Sequence, residues 1–239
     1  MLQQALGGCE FNLEPNKMKR FLFLIFFFIS INMLGQYSVG PTVKFGWSDM
    51  PNNIESIRNS TNYTEFRPSY SIGILNEYRF NTWFAVELDI LYDFVSSEQF
   101  YLVNGDNPEG YRSTTLNEVS YLSMPILLQL DYKKFSLHAG GQASYALVWE
   151  TQTVINDGFG NQNSYGSRST GDGLGWNFAF TGALAYNVYD NLELEARYVK
   201  GLVNIMDPDW GFEHYASTTQ FLVGLNYKFN FQKKQAATK

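Results

Sequence analysis

From Phe84 to Phe94 the even positions are large and apolar: Phe84, Val86, Leu88, Ile90, Tyr92 and Phe94. The odd positions are small or charged (Ala85, Glu87, Asp89, Asp93), with Leu91 the one exception. A side-chain period of two marks a β-strand with one apolar and one polar face. The pattern returns about eight times, and no helical period competes with it. It predicts strands from Tyr37 to Trp47, Ser69 to Phe80, Phe84 to Phe94, Val119 to Tyr132, Phe135 to Trp149, Trp176 to Val188, Leu192 to Val199 and Thr219 to Phe231. Pro125 takes one ladder donor from the fourth strand and predicts a bulge or kink there.

The connections alternate in length. Short turns fall at Asn81-Thr82, Lys133-Lys134 and Asp190-Asn191, and long polar loops at about 48–68, 96–118, 150–175 and 200–218. Short turns at one end and long loops at the other is the layout of an outer-membrane barrel, with the turns periplasmic and the loops extracellular.

Alternation does not say which face points inward, but volume does. An eight-stranded barrel has an interior just wide enough to be filled by side chains. Five or so large residues from nearly every strand, many of them Phe, Tyr or Trp, would overfill it. The opposite face offers Gly, Ser, Ala and Thr with a few charges, which fits. The aromatics therefore point out, and outward means lipid. Trp47, Tyr70, Tyr92, Trp149, Trp176 and Tyr198 fall near the long-loop ends; Tyr37, Tyr78, Trp83, Tyr132, Tyr186 and Tyr227 fall near the short turns. Two such girdles belong at the two membrane interfaces. The expected fold is an all-β, eight-stranded antiparallel transmembrane barrel in a bacterial outer membrane.

Four segments carry a family resemblance: Val39-Gly40-Pro41-Thr42-Val43-Lys44-Phe45-Gly46, Tyr121-Leu122-Ser123-Met124-Pro125-Ile126-Leu127-Leu128, Leu194 to Leu202, and Val223 to Phe229. With them the chain after Gln36 resembles the PorT-like family of small outer-membrane β-barrel proteins of Gram-negative bacteria. The resemblance implies that fold, and a link to a secretion or surface-assembly apparatus. The tail Gln232 to Lys239 departs from the family, whose barrels usually end on an aromatic residue.

Composition adds compartment. Lys19-Arg20 and the nine apolar residues Phe21 to Ile29 read as the charged and apolar regions of a secretory signal, with cleavage placed after Gly35. The apolar run is too short to span a bilayer as a helix. Translation is expected to begin at Met18, leaving 1–17 as an upstream extension, 18–35 as signal, 36–231 as barrel and 232–239 as a polar tail. Cys9, the only cysteine, precedes the cleavage site, so the processed chain is expected to hold no disulfide or thiolate metal site. A formal net charge of −6 argues against nucleic-acid binding.

The inward charges are Lys44, Glu77, Arg79, Glu87, Asp89, Asp93, Glu193, Glu195, Arg197 and Lys228, joined by His138. Strand order suggests Arg79 near Glu87, and Lys228 near Glu193 or Glu195. Such groups form either a gated pore or a satisfied polar plug, because buried charges must be paired in both cases. His138 has Ser136 and Glu193 as conceivable neighbours, which a hydrolase would need, but it sits near the periplasmic end. Asp207, Asp209, Glu213 and His214 lack the spacing of a calcium loop and read as an ordinary acidic loop. No catalytic residue, metal site or cofactor is assigned. Phe100, Tyr101, Leu102 and Val103, with Val154, Ile155, Phe159 and Tyr165, put apolar side chains among polar loop residues, where they could bind partners or pack together. The expected role is structural or partner-binding; a narrow solute or ion pore is the alternative, and a lipid-modifying or proteolytic enzyme the third reading. Expected partners are outer-membrane lipid and lipopolysaccharide, and envelope proteins met through the long loops.

Overall fold

The computed structural model describes residues 36–51, 60–103, 111–156, 162–170, 175–202 and 217–231. The upstream extension with Cys9, the signal segment, the tail from Gln232, and the loop residues Phe159, Asp207, Asp209, Glu213 and His214 lie outside them. Ten strands are described: β1 (Gln36–Asp49), β2 (Ser60–Arg79), β3 (Phe84–Val103), β4 (Tyr111–Tyr132), β5 (Phe135–Asn156), β6 (Gln162–Thr170), β7 (Trp176–Tyr189), β8 (Leu192–Gly201), β9 (Thr219–Tyr227) and β10 (Phe229–Phe231). All pairings are antiparallel.

These ten make a ring of eight. Strand β1 pairs β2 on one side and β9 with its continuation β10 on the other. Strand β5 pairs β7 along its first half and β6 along its second. The ring order is therefore β1-β2-β3-β4-β5-β7-β8-β9, closed by β9 on β1. Closure satisfies the backbone without an exposed edge, which hydrocarbon requires.

The stagger can be read from the register. Ser38 faces Glu77, Glu77 faces Glu87, and the row continues through Leu127, Gly140, Thr181, Val199 and Gln220 to Ser48. One circuit thus advances from residue 38 to residue 48 of the same strand. With strands about 4.8 Å apart and a rise of about 3.3 Å per residue, this stagger implies a tilt of about 40° and a backbone radius of about 8 Å. Such a cylinder has room for side chains and little else.

The turn end is built from local chemistry. Asn81 Oδ1 accepts hydrogen bonds from the backbone N–H groups of Trp83 (2.9 Å) and Phe84 (2.8 Å), closing the β2–β3 turn as an Asx turn. Lys133 adopts φ 57° in the two-residue β4–β5 turn, a left-handed conformation that tight hairpins demand.

The alternation expected from sequence holds around the ring. Phe45 is 63% exposed, and Leu128 is 55% exposed, while Ala85, Glu87 and Asp89 are buried. Leu91, the exception to the pattern in β3, points inward with Leu75 and Leu127 and is buried among them. The outward belt of aliphatic and aromatic side chains is left uncovered by the described residues.

Two expectations are corrected. Three of the four long connections contain strand: β2 begins at Ser60, β3 runs to Val103, β4 starts at Tyr111, and β5 and β6 pair from Val148 with Thr170 out to Asn156 with Gln162. These segments form a five-stranded extension rising from one side of the ring, in the order β2-β3-β4-β5-β6. Their composition hid them, because a sheet with water on both faces has no reason to alternate. The second correction is Trp149. The register steps from Ser120 facing Val148 to Tyr121 facing Ala146, so Leu147 is an extra residue in β5. A bulge of one residue exchanges the two faces beyond it. Trp149 therefore leaves the girdle, turns inward and packs against a buried apolar cluster.

Candidate functional site

The lumen has two layers. Near the hairpin end it is apolar: Met50, Val95, Val119, Tyr121 and Ala146 pack together, with Trp149 against them. The chain leaving β1 is folded inward to deliver Met50. Ser48 Oγ donates to the carbonyl of Ser96 (2.7 Å) and accepts from its N–H (2.9 Å), while Gln99 Nε2 donates to the Met50 carbonyl (3.1 Å). Ser97 Oγ and Thr64 Oγ1 both donate to the Asp49 carboxylate. Strands β1 and β3 are separated by β2, so the bonds from Ser48, Asp49 and Met50 to Ser96, Ser97 and Gln99 bridge over that strand at the mouth.

Beneath it lies the charged layer. Lys44, Glu87, Asp89, Glu195 and His138 are 0% exposed. Arg197 holds the centre: its guanidinium donates to Glu87 Oε1 (2.9 Å), to Asp89 Oδ2 (3.1 Å) and to Glu195 Oε1. Arg197 stands on β8, and Glu87 and Asp89 on β3, four places away in either direction around the ring of eight. Side chains from opposite walls thus meet inside the lumen. Lys44 Nζ lies 3.4 Å from Glu195 Oε2 and donates to Thr42 Oγ1 (2.6 Å) and Asn226 Oδ1 (3.3 Å). Asn226 Nδ2 donates to both Glu193 (2.9 Å) and Glu195 (2.6 Å). Lys228 Nζ bridges Glu77 (2.7 Å) and Glu193 (2.9 Å). His138 Nδ1 lies 3.2 Å from Glu87 Oε2.

At the turn end Arg79 donates to Glu77 (2.8 Å) and to Asp131, whose other oxygen accepts from Gln129 (2.8 Å) and Ser136 (2.6 Å). Asp93, the inward charge farthest toward the hairpin end in β3, accepts from Gln142 Nε2 (3.2 Å).

Every inward residue singled out from sequence sits in the lumen, and the structure joins all but one of them into the central network: Asp93 stands apart on Gln142. Lys228 does meet Glu193. Arg79 does not meet Glu87; it is held by Glu77 and Asp131, while Glu87 is taken by Arg197 and His138. Ser136 serves Asp131 rather than His138, so no hydroxyl–imidazole pair forms. Asp131 and Asn226 join the network although they are not among the inward residues picked out from sequence, and the Met50 cluster was not expected either. Continued odd parity in β3 and β4 was the available signal for the cluster, since it carries Val95, Val119 and Tyr121 inward.

The number of charges matters. Against the cations Lys44, Arg79, Arg197 and Lys228 stand the carboxylates Glu77, Glu87, Asp89, Asp93, Asp131, Glu193 and Glu195. The scarce cations must be shared, as the three acceptors around Arg197 show. No group of His, Cys, Asp and Glu among the described residues has the arrangement of a metal site.

The model of a family described as outer membrane protein beta-barrel domain matches residues 29–207. No curated protein matches. Among solved structures the chain is similar to Ail, the attachment invasion locus protein of Yersinia pestis, solved with the heparin analogue sucrose octasulfate, at 13% identity and TM-score 0.39, covering 82% of this chain and 99% of that one. It is similar also to Neisserial surface protein A, at 11% identity and TM-score 0.37, covering 81% and 97%. The outer membrane protease OmpT of Escherichia coli is similar at 10% identity and TM-score 0.42, covering 82% and 96%.

Proposed function

The chain belongs to the outer membrane protein beta-barrel domain family, and on that premise we propose that it is a closed barrel that binds a partner through its raised sheet. In this reading the short turns face the periplasm and β2 to β6 rise from the cell surface. The outward belt contacts outer-membrane lipid, with lipopolysaccharide in the outer leaflet. The PorT-like resemblance directs the binding role toward secretion or surface assembly.

One observation carries the closed reading: Arg197 meets Glu87 and Asp89 of the opposite wall inside the lumen, beneath an apolar layer that includes Met50. A conducting pore needs a hydrated path, whereas desolvated ion pairs stacked under apolar side chains oppose one. The enzymatic reading has no such support. His138 faces a carboxylate at the closed end of the lumen, away from any surface a substrate could reach.

Planar-bilayer recording tests the proposal. Both the wild type and Glu87→Ala are expected to give no sustained conductance steps, because Asp89 and Glu195 still hold Arg197. Steps in the wild type whose size changes in Glu87→Ala would establish the pore instead. Altered envelope lipid or peptide hydrolysis that His138→Ala abolishes would establish the enzyme.

A further inference from the structure

Among the described residues the raised sheet ends in β6. Strand β6 pairs β5 over nine consecutive positions, and among the described residues no strand pairs its other edge. All nine residues are exposed. Exposed edges invite further strands, and proteins usually blunt them with Lys, Pro, bulges or brevity. Strand β6 has none of these: Gln162 to Thr170 contains no Lys and no Pro, and its register is unbroken. Its one charge, Arg168, is 65% exposed at the side chain and leans back to Glu150 (3.1 Å).

Side-chain chemistry along this edge is asymmetric. Glu118, Glu150 and Arg168 lie side by side in one cross-strand row, two carboxylates followed by one guanidinium at the rim. An acidic residue on an added strand would extend that row with opposite charges adjacent, which stabilises cross-strand pairs. Three positions away, Tyr165 stands 61% exposed on the opposite face, beside Thr153. Aromatic side chains pair best across strands with β-branched or aromatic ones. Between them Gly166 leaves the edge bare.

We infer that the free edge of β6 receives an extended segment of a separate protein, carrying a β-branched or aromatic residue against Tyr165 and an acidic residue against Arg168, three positions apart. Main-chain hydrogen bonds supply the affinity and these two positions the selectivity, as in strand addition generally. A second copy is the wrong occupant. Two barrels in one membrane are related by an axis along its normal, so edges that keep the ring's tilt of about 40° would cross at about 80° and form no ladder. The inference rests on the partner-binding reading above.

The test uses the full chain folded in lipid nanodiscs and an acetylated nine-residue peptide of alternating Thr and Val with one Glu three positions from a Val. A second peptide has Lys in place of Glu. Amide hydrogen exchange is followed at Gln162 to Thr170. The Glu peptide is expected to slow the outward-facing amides of β6 at least tenfold and to bind several-fold tighter than the Lys peptide. Arg168→Glu is expected to reverse that ranking while leaving the β5–β6 amides protected. Absence of β6 protection, protection only elsewhere, or a ranking that Arg168→Glu leaves unchanged would overturn the inference. Protection that rises with protein concentration without peptide would assign the edge to a second copy and overturn it too. None of these outcomes bears on conductance, so the closed-barrel reading stands or falls separately.

Discussion

Replacing Arg197 by Met removes the one cation that Glu87, Asp89 and Glu195 share, while keeping most of its volume. The three carboxylates are fully buried, and Asp89 has no other cation within ion-pairing distance among the described residues. Glu195 keeps Lys44 at 3.4 Å and Glu87 keeps His138 at 3.2 Å. Breaking a buried pair by removing one partner typically costs about 3–5 kcal/mol, because the other charge is left uncompensated. Arg197→Met should therefore lower the unfolding free energy by about 3–5 kcal/mol, measured by reversible urea titration in phospholipid vesicles with the gel shift of the folded barrel as readout. Neutralising the orphaned acceptors with Asp89→Asn and Glu87→Gln in the Arg197→Met background should restore more than half of the loss. By contrast, Arg168→Ala removes an exposed pair with Glu150 and should cost about 1 kcal/mol at most. A loss below about 1 kcal/mol for Arg197→Met, or no recovery on neutralisation, would refute the claim that the lumen is a dry, interlocked network.

Leu128→Arg puts a charge on the outward face of β4 and should destabilise the barrel by about 2–4 kcal/mol if that face meets acyl chains, by the same titration. Gly224→Val should slow or prevent appearance of the heat-modifiable folded band, since a side chain at 224 would collide with the Val43 carbonyl oxygen (2.1 Å from the Cβ position) and with Lys44 Cγ (2.5 Å). Fluorescence from Trp176, which points outward, should be quenched by brominated lipid, and that from Trp149 should be spared, in variants that keep one tryptophan at a time.

The face of each strand was legible because one force writes it. Wherever one side meets hydrocarbon and the other a narrow polar interior, residues must alternate, and Phe84 to Phe94 or Leu192 to Tyr198 record that directly. Parity alone placed every charge of the central lumen network except Asp131. It did not pair them. Arg197 meets Glu87 and Asp89 across the ring, a contact fixed by strand count, tilt and stagger together, and no local spacing encodes it. The Arg79–Glu87 expectation fails for that reason: Glu87 lies on the adjacent strand, whereas Arg79 reaches past β3 to Asp131 on β4. Trp149 was lost to a single inserted residue, Leu147, that composition does not mark as a bulge. The raised sheet was illegible for the opposite reason, since Gln162 to Thr170 has only Tyr165 among polar residues and Gly166 and reads as loop.

The most direct measurement places single cysteines along β3 in a chain carrying Cys9→Ser, folded in lipid vesicles and exposed to a membrane-soluble thiol reagent. Positions 86, 88 and 90 should react and positions 85, 87 and 89 should not, giving a period of two in step with the exposed and buried residues. Uniform protection of 86, 88 and 90, or reaction at 87 and 89 instead, would contradict an acyl-facing belt around a filled lumen.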